Sequence, residues 1–87
     1  MKHHMEWKLL MVQCDLTLIL IEALTDDGEL SDDPQLEWQR AIQAGCEEPA
    51  LYPDWHRLVT DTGDNSAEYF AAREVFMRLY KKLRGET

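Results

Sequence analysis

The apolar positions of this chain fall into four segments, which are separated by glycine, proline and short acidic runs. The first segment, Glu6–Leu24, contains neither glycine nor proline, and its length is long for a strand but ordinary for a helix. On a helix, Lys8, Asp15 and Glu22 share one face, and the rest of the circumference is largely apolar. The pattern therefore predicts a mostly buried first helix, with Asp15 on a narrow solvated edge.

A strand is the alternative for part of this segment. Val12 to Leu18 alternate apolar and polar residues with a period of two, which is typical of a half-buried strand. If residues 9–21 form a strand, the fold is α+β rather than all-α. The pattern argues against a membrane span, because the uncharged run after Asp15 has only six residues.

Turn and capping residues set the bounds of the next two helices. Gly28 suits the end of the first helix. Asp33 is a good N-cap for a second helix over Pro34–Ala44, whose first residue needs no amide proton. We expect that helix to end at Gly45. A short third helix is predicted over Asp54–Thr60.

The last segment has the clearest helical pattern in the chain. Asn65 and Glu68 have the spacing of a capping box at its start, and Gly85 suits its end. Basic residues in the last turn complement the helix dipole. The 3-4 spacing across two heptads involves Tyr69, Ala72, Phe76, Leu79 and Leu83, and the predicted apolar face is widened by Phe70, Val75, Met77 and Tyr80.

These segments predict one all-α domain over residues 5–87, a small bundle of three principal helices and one short helix. Residues 1–4 are interpreted as the remnant of an expression tag, so His3 and His4 are left out of functional reasoning. Cys14 and Cys46 are predicted to be reduced, buried thiols of a cytoplasmic protein, and no secretory signal is evident.

The charge of the chain is strongly acidic and uneven. The net charge is −8; residues 1–72 contain 15 acids and 4 bases, a net of −11, and residues 73–87 contain 2 acids and 5 bases, a net of +3. Most of the surface would repel nucleic acid and anionic membranes. We therefore predict neither direct binding to duplex nucleic acid nor membrane association.

The acidic connection "DDGELSDD" is compared with a calcium loop. With Gly28 at the sixth position of an EF-hand loop, the first ligand position falls on Ala23 and the twelfth on Pro34, and neither side chain offers an oxygen. The stretch is therefore interpreted as a solvated acidic turn. No closely spaced cysteine or histidine pairs indicate zinc, and we predict no metal and no cofactor.

The sequence contains no catalytic signature. Cys46 and His56 are the only pair that could act as nucleophile and base, and neither lies in a recognisable motif. His56 is expected to be a partly exposed helix residue. The prediction is that the protein is not an enzyme.

A protein-binding module is the function that remains. Aromatic residues near an acidic loop, "CEEPALYPDW", are typical of a recognition patch. The acidic surface from Asp26 to Asp64 would steer the module toward a basic partner, as an adaptor, assembly factor or small inhibitor. The predicted partner-binding residues are Trp38, Glu47, Glu48, Tyr52, Asp54 and Trp55. The opposite interpretation of the aromatic residues is that they close the end of the core.

Two further expectations concern partners. The alternative function is a nucleic-acid mimic, whose carboxylates replace phosphates and block a DNA- or RNA-binding protein; its affinity would fall steeply with salt. The wide apolar face of the first helix also predicts a homodimer through that helix.

Overall fold

The computed structural model describes residues 2–61 and 66–85, with side chains over residues 9–61 and 67–85. The described chain consists of helices and their connections, with no strand. The all-α prediction is confirmed, and the alternative strand is wrong because residues 9–21 lie inside the first helix. The four helices are α1 (Lys2–Asp27), α2 (Pro34–Glu47), α3 (Pro53–Thr60) and α4 (Ser66–Leu83).

Helix α1 is the longest element, with 26 residues, and it packs against each of the other three helices. Its inward face consists of Val12, Leu16, Ile19 and Leu20, which are all buried. The helix ends where Gly28 takes a positive φ of 82° and donates its N–H to the carbonyl of Leu24 over 2.9 Å. The predicted glycine end is thus confirmed, because this backbone conformation favours glycine.

The start of α2 is also where the sequence predicts it. The Asp33 carboxylate accepts the backbone N–H of Gln35 over 3.0 Å, and Pro34 opens the first turn. Glu37 is buried one turn later and accepts the backbone N–H of Ser31 over 3.0 Å. The carboxylates of Asp33 and Glu37 therefore order the connection between α1 and α2 at the end where α2 begins.

The predicted end of α2 at Gly45 is wrong. The helix continues to Glu47, and Gly45 is a buried residue within its last turns. Trp55 of α3 lies against this position, and a Cβ there would be only 2.6 Å from its Cδ1 atom. Glycine is therefore needed for the close approach of two helices rather than for a chain reversal.

The core is organised around aromatic side chains. The ring of Trp38 has its centroid 5.2 Å from that of Phe76 and 5.5 Å from those of Trp55 and Tyr69. Such tilted and edge-on arrangements add to the free energy gained by burial. The predicted spacing of α4 is confirmed, since Ala72 and Phe76 are buried and the other members pack partly against the core.

One apolar residue of α4 does not follow its predicted role. Phe70 is 65% exposed, so it does not widen the buried face of the helix. The predicted capping box of α4 depends on Asn65, which lies outside the described residues. The end of α4 is as predicted, because Gly85 has a φ of 80° and donates its N–H to the carbonyl of Lys82.

The last turn of α4 also holds the α1–α2 connection. The carbonyl of Ser31 accepts the hydroxyl of Tyr80 over 2.5 Å and Nη1 of Arg84 over 3.1 Å. The same Arg84 nitrogen donates to the Tyr80 hydroxyl oxygen over 2.9 Å. Arg84 is one of the basic residues near the end of α4 that complement the helix dipole, and it also fixes a distant loop.

Candidate partner-binding surface

The predicted partner-binding residues divide into a buried aromatic set and an exposed acidic set. Trp38 and Tyr52 are each 3% exposed, and Trp55 is fully buried. The prediction that these rings lie on the surface is therefore wrong, and their interpretation as the end of the core is the correct one. Glu47 and Glu48 are exposed, and Asp54 is half-buried at the start of α3.

The role of Asp15 also differs from the prediction. Its carboxylate is buried, and its Oδ2 atom accepts the backbone N–H groups of Asp54 and Trp55, each over 3.0 Å. These N–H groups belong to the first turn of α3, and its own N-cap residue, Tyr52, makes no side-chain hydrogen bond to them. Asp15 thus caps α3 from a different helix, because the first N–H groups of a helix have no partner within it.

Burial dominates the electrostatics of Asp15. Removal from water raises the pKa of its carboxyl above the ordinary value of 3.8, and the nearby charge of Asp54 raises it further. The two backbone hydrogen bonds act in the opposite direction without cancelling the effect of burial. Burial of the carboxylate therefore costs electrostatic free energy, while its hydrogen bonds order the start of α3.

Tyr52 fixes the other end of the connection before α3. Its hydroxyl donates a hydrogen bond to the Oε2 atom of Glu22 on α1. Burial, followed by the hydrogen bond and the charge of Glu22, raises the pKa of the Tyr52 phenol well above its ordinary value of 10.0. The predicted solvated edge of α1 is thus partly an attachment surface for α3 and the loop before it.

Two hydrogen bonds join α3 to α2. The indole Nε1–H of Trp55 donates to the carbonyl of Ala41 over 2.7 Å, and Nδ1 of His56 lies 2.7 Å from the carbonyl of Gly45. Since a carbonyl only accepts, this contact places a proton on Nδ1 of His56. His56 is half-buried, as predicted for a partly exposed helix residue.

These contacts leave one exposed stretch between two fixed helices. We call residues 47–51 the 47–51 turn; every residue in it is exposed, and Leu51 is 56% exposed. The turn is closed by the N–H groups of Leu51 and Tyr52, which donate to the carbonyl of Glu48 over 3.2 and 3.1 Å. It therefore presents an apolar side chain beside two carboxylates on a backbone with defined hydrogen bonds.

Sequence reasoning missed Leu51 and selected its neighbours. The signal was available in the spacing: Tyr52, Trp55 and Val59 are three and four residues apart, so they share one face of a short helix and are buried together. Leu51 lies before the helix and off that face. The exposed apolar residue of the loop is therefore the one outside the helical repeat.

A second acidic area lies on the α1–α2 connection. Asp26, Asp27, Glu29 and Asp32 are exposed there. Asp27 is 3.2 Å from Nη1 of Arg40, and within the described residues the other three form no ion pair. The rest of the predicted acidic surface extends to Asp64, which lies outside the described part of the chain.

Metal binding and thiol chemistry depend on where the candidate ligands and the two cysteines lie. Over residues 9–61 and 67–85, no three side chains from histidine, cysteine, aspartate and glutamate converge as a set of metal ligands. Cys14 and Cys46 are both exposed, so their predicted burial is wrong. Their positions on the outer surfaces of α1 and α2 follow from the inward faces of those helices.

None of the helices in the described chain combines the length and the apolar content that crossing a bilayer requires.

The described part of the chain defines a class, a small all-α domain with four helices and an acidic exterior. Comparisons with protein-family models, with curated proteins and with solved structures find no match to this chain.

Proposed function

We propose that this chain is a non-enzymatic protein-binding module, which acts by occupying the surface of a basic partner protein. The observation that supports this most directly is the 47–51 turn, where exposed Leu51 stands beside exposed Glu47 and Glu48. An apolar contact beside charged groups is a common arrangement in protein interfaces. The turn replaces the aromatic patch as the proposed contact, because the aromatic rings lie in the core.

Hydrogen bonds on both sides of the 47–51 turn hold it in place, which favours binding with little rearrangement of its backbone. The N–H of Glu48 continues the helical bonding of α2 by donating to Ala44, and Gln43 donates to the Glu47 carboxylate over 3.0 Å. Beyond the turn, Tyr52 is held by Glu22 and the start of α3 is held by Asp15. A loop fixed at both ends loses less conformational entropy when it binds.

The acidic charge of this chain would steer a basic partner toward it. The net charge of −8 and the exposed carboxylates of the α1–α2 connection would attract a basic surface over a distance of about a Debye length. Such steering acts mainly on the association rate and on the choice of partner. The apolar contact of Leu51 would then limit dissociation.

The test is affinity capture from a lysate of the source organism with the wild-type chain and two matched variants. Leu51→Ala removes the proposed anchor, and Leu36→Ala removes a comparably exposed leucine from α2. We expect a basic protein to be retained by the wild type and by Leu36→Ala, and to be lost or weakened at least about tenfold with Leu51→Ala.

Salt elution separates the proposal from its competitors. A partner bound through Leu51 should withstand moderate salt, whereas a nucleic-acid-binding protein released steeply by salt would support the mimic instead. A partner that binds Leu51→Ala and the wild type equally would contradict the proposed contact.

A further inference from the structure

Helix α1 has a second apolar face, which points away from the core. Five of its exposed residues follow an alternating three- and four-residue spacing over about four turns. Among them, Leu18 is 50% exposed, Ile21 44% and Met11 37%. We call this set the α1 stripe; it consists of Met11, Cys14, Leu18, Ile21 and Thr25.

The α1 stripe is uncharged in a strongly acidic molecule. From Leu9 to Thr25 the charged residues are Asp15, whose carboxylate is buried against the start of α3, and Glu22, whose carboxylate accepts the hydroxyl of Tyr52. Successive helix residues point about 100° apart, so Asp15 projects to the side of Cys14 rather than along it. A second molecule could approach this face without placing like charges in contact.

A groove lies along one edge of the stripe, where Cys14 and Leu18 of the stripe help to line it. A shallow cavity of about 400 Å³ is lined by Leu10, Gln13, Cys14, Thr17 and Leu18. The small side chains of Cys14 and Thr17 lie between the exposed Leu10 and Leu18. This arrangement places a recess beside the projecting side chain of Leu18. Such alternation is the requirement for knobs-into-holes packing between helices.

We propose that the α1 stripe pairs with the α1 stripe of a second copy of this chain, with the two helices antiparallel. In this register Leu18 of each copy lies over Cys14 of the other, and Met11 lies opposite Ile21. One set of residues thus supplies both the projecting leucine and the recess, which is what a twofold-symmetric interface requires. This self-complementarity favours a second copy over an unrelated helix.

Charge selects the antiparallel direction. The helix ends in Asp26 and Asp27, and Glu29 follows at once. Parallel helices would bring these acids of both copies together, whereas antiparallel helices place them at opposite ends of the interface. A contact about 21 Å long buries on the order of 1,000 Å², so the dimer is expected to dissociate in the micromolar range or above.

The first test measures mass against concentration for the whole chain by sedimentation velocity. Between about 5 and 500 µM, the wild type should shift from monomer to dimer. Leu18→Glu should weaken the dimer at least about tenfold, while Leu36→Glu, at a similarly exposed site on α2, should leave it unchanged. A wild type that stays monomeric throughout, or equal effects of the two variants, would overturn the proposal.

The second test fixes the register by disulfide formation in a Cys46→Ser background. Adding Leu18→Cys should yield a covalent dimer with oxidised glutathione, because the thiol at position 18 would face Cys14 of the second copy. Cys14 alone should not link, since the antiparallel register holds the two Cys14 Cα atoms more than about 7 Å apart. Ready linkage through Cys14 alone would overturn the antiparallel register.

This inference does not depend on the proposed function. The dimer is tested with purified chain, and the α1 stripe shares no residue with the 47–51 turn. Capture that survives Leu51→Ala while the wild type dimerises would contradict the proposed function alone. A wild type that stays monomeric while capture is lost with Leu51→Ala would contradict the dimer alone.

Discussion

The indole of Trp55 occupies the space in which a side chain at Gly45 would stand. A Cβ at residue 45 would lie 2.6 Å from the Cδ1 atom and 2.7 Å from the Nε1 atom of that indole. Trp55 is fully buried, and its Nε1–H is held by the carbonyl of Ala41. The contact between α2 and α3 therefore depends on the absence of a side chain at one position.

Gly45→Ala is expected to destabilise the protein, although alanine is the better helix former. Alanine would ordinarily add about 0.5–1 kcal/mol within a helix, but the forced movement of a buried ring costs about 1–3 kcal/mol. We expect a net loss of about 1–2 kcal/mol in the free energy of unfolding, measured by urea denaturation.

The matched comparison for this variant lies on the same helix. Gln39 is exposed, so Gln39→Ala should be more stable than Gln39→Gly by about 0.5–1 kcal/mol. If Gly45→Ala also raises the stability, the indole is not held tightly against Gly45.

Asp15→Ala is expected to destabilise the protein more than the loss of an ordinary cap. The change would leave the N–H groups of Asp54 and Trp55 without their acceptor at a largely buried helix start, at a cost of at least about 2 kcal/mol. Asp33→Ala removes an exposed cap from α2 and should cost only about 1 kcal/mol. Equal losses in urea denaturation would show that water replaces the Asp15 carboxylate.

The raised pKa of Asp15 predicts the direction of a pH effect. Because its pKa is higher in the folded than in the unfolded chain, the folded state binds the proton more tightly. This contribution to stability is complete below the ordinary pKa of 3.8 and is lost as the pH rises through the folded value. The unfolding free energy of the wild type relative to Asp15→Asn should therefore increase as the pH falls from neutral toward about 4. A decrease would indicate a lowered pKa instead.

Tyr52 predicts a separate effect at alkaline pH. Its phenol keeps its proton in the folded chain above the ordinary pKa of 10.0, while the unfolded chain loses it. The stability of the wild type relative to Tyr52→Phe should therefore fall as the pH rises above about 10, as followed by denaturation. Glu22→Gln should reduce this dependence, because the charge of Glu22 also raises the pKa of Tyr52. Parallel curves for the wild type and Tyr52→Phe would contradict the assignment.

The candidate binding surface was only partly accessible from the sequence. The stretch around Glu47 and Glu48 was recognised, because acidic residues beside prolines indicate an exposed loop. The aromatic residues were assigned to the wrong side of the molecule, since composition does not say which way a ring points. The position of Leu51 outside the repeat of Tyr52, Trp55 and Val59 was a usable signal in the sequence, but the attachment of Tyr52 to Glu22 is visible only in the structure.

The sequence by itself determined the features that depend on neighbouring residues. The 3-4 spacing of α4, the Asp33 cap and the glycine ends at Gly28 and Gly85 all involve interactions within a few positions along the chain. Such interactions repeat with the period of the helix, and a linear pattern therefore contains them.

Only the tertiary structure decided the roles of Asp15 and Gly45. Asp15 is 40 residues from Trp55, and its carboxylate would be costly to bury without the N–H groups of another helix. Gly45 resembles a helix end until the indole of Trp55 is placed against it. In both cases the partner comes from a distant part of the chain, and no local spacing specifies a contact that forms only when the helices pack.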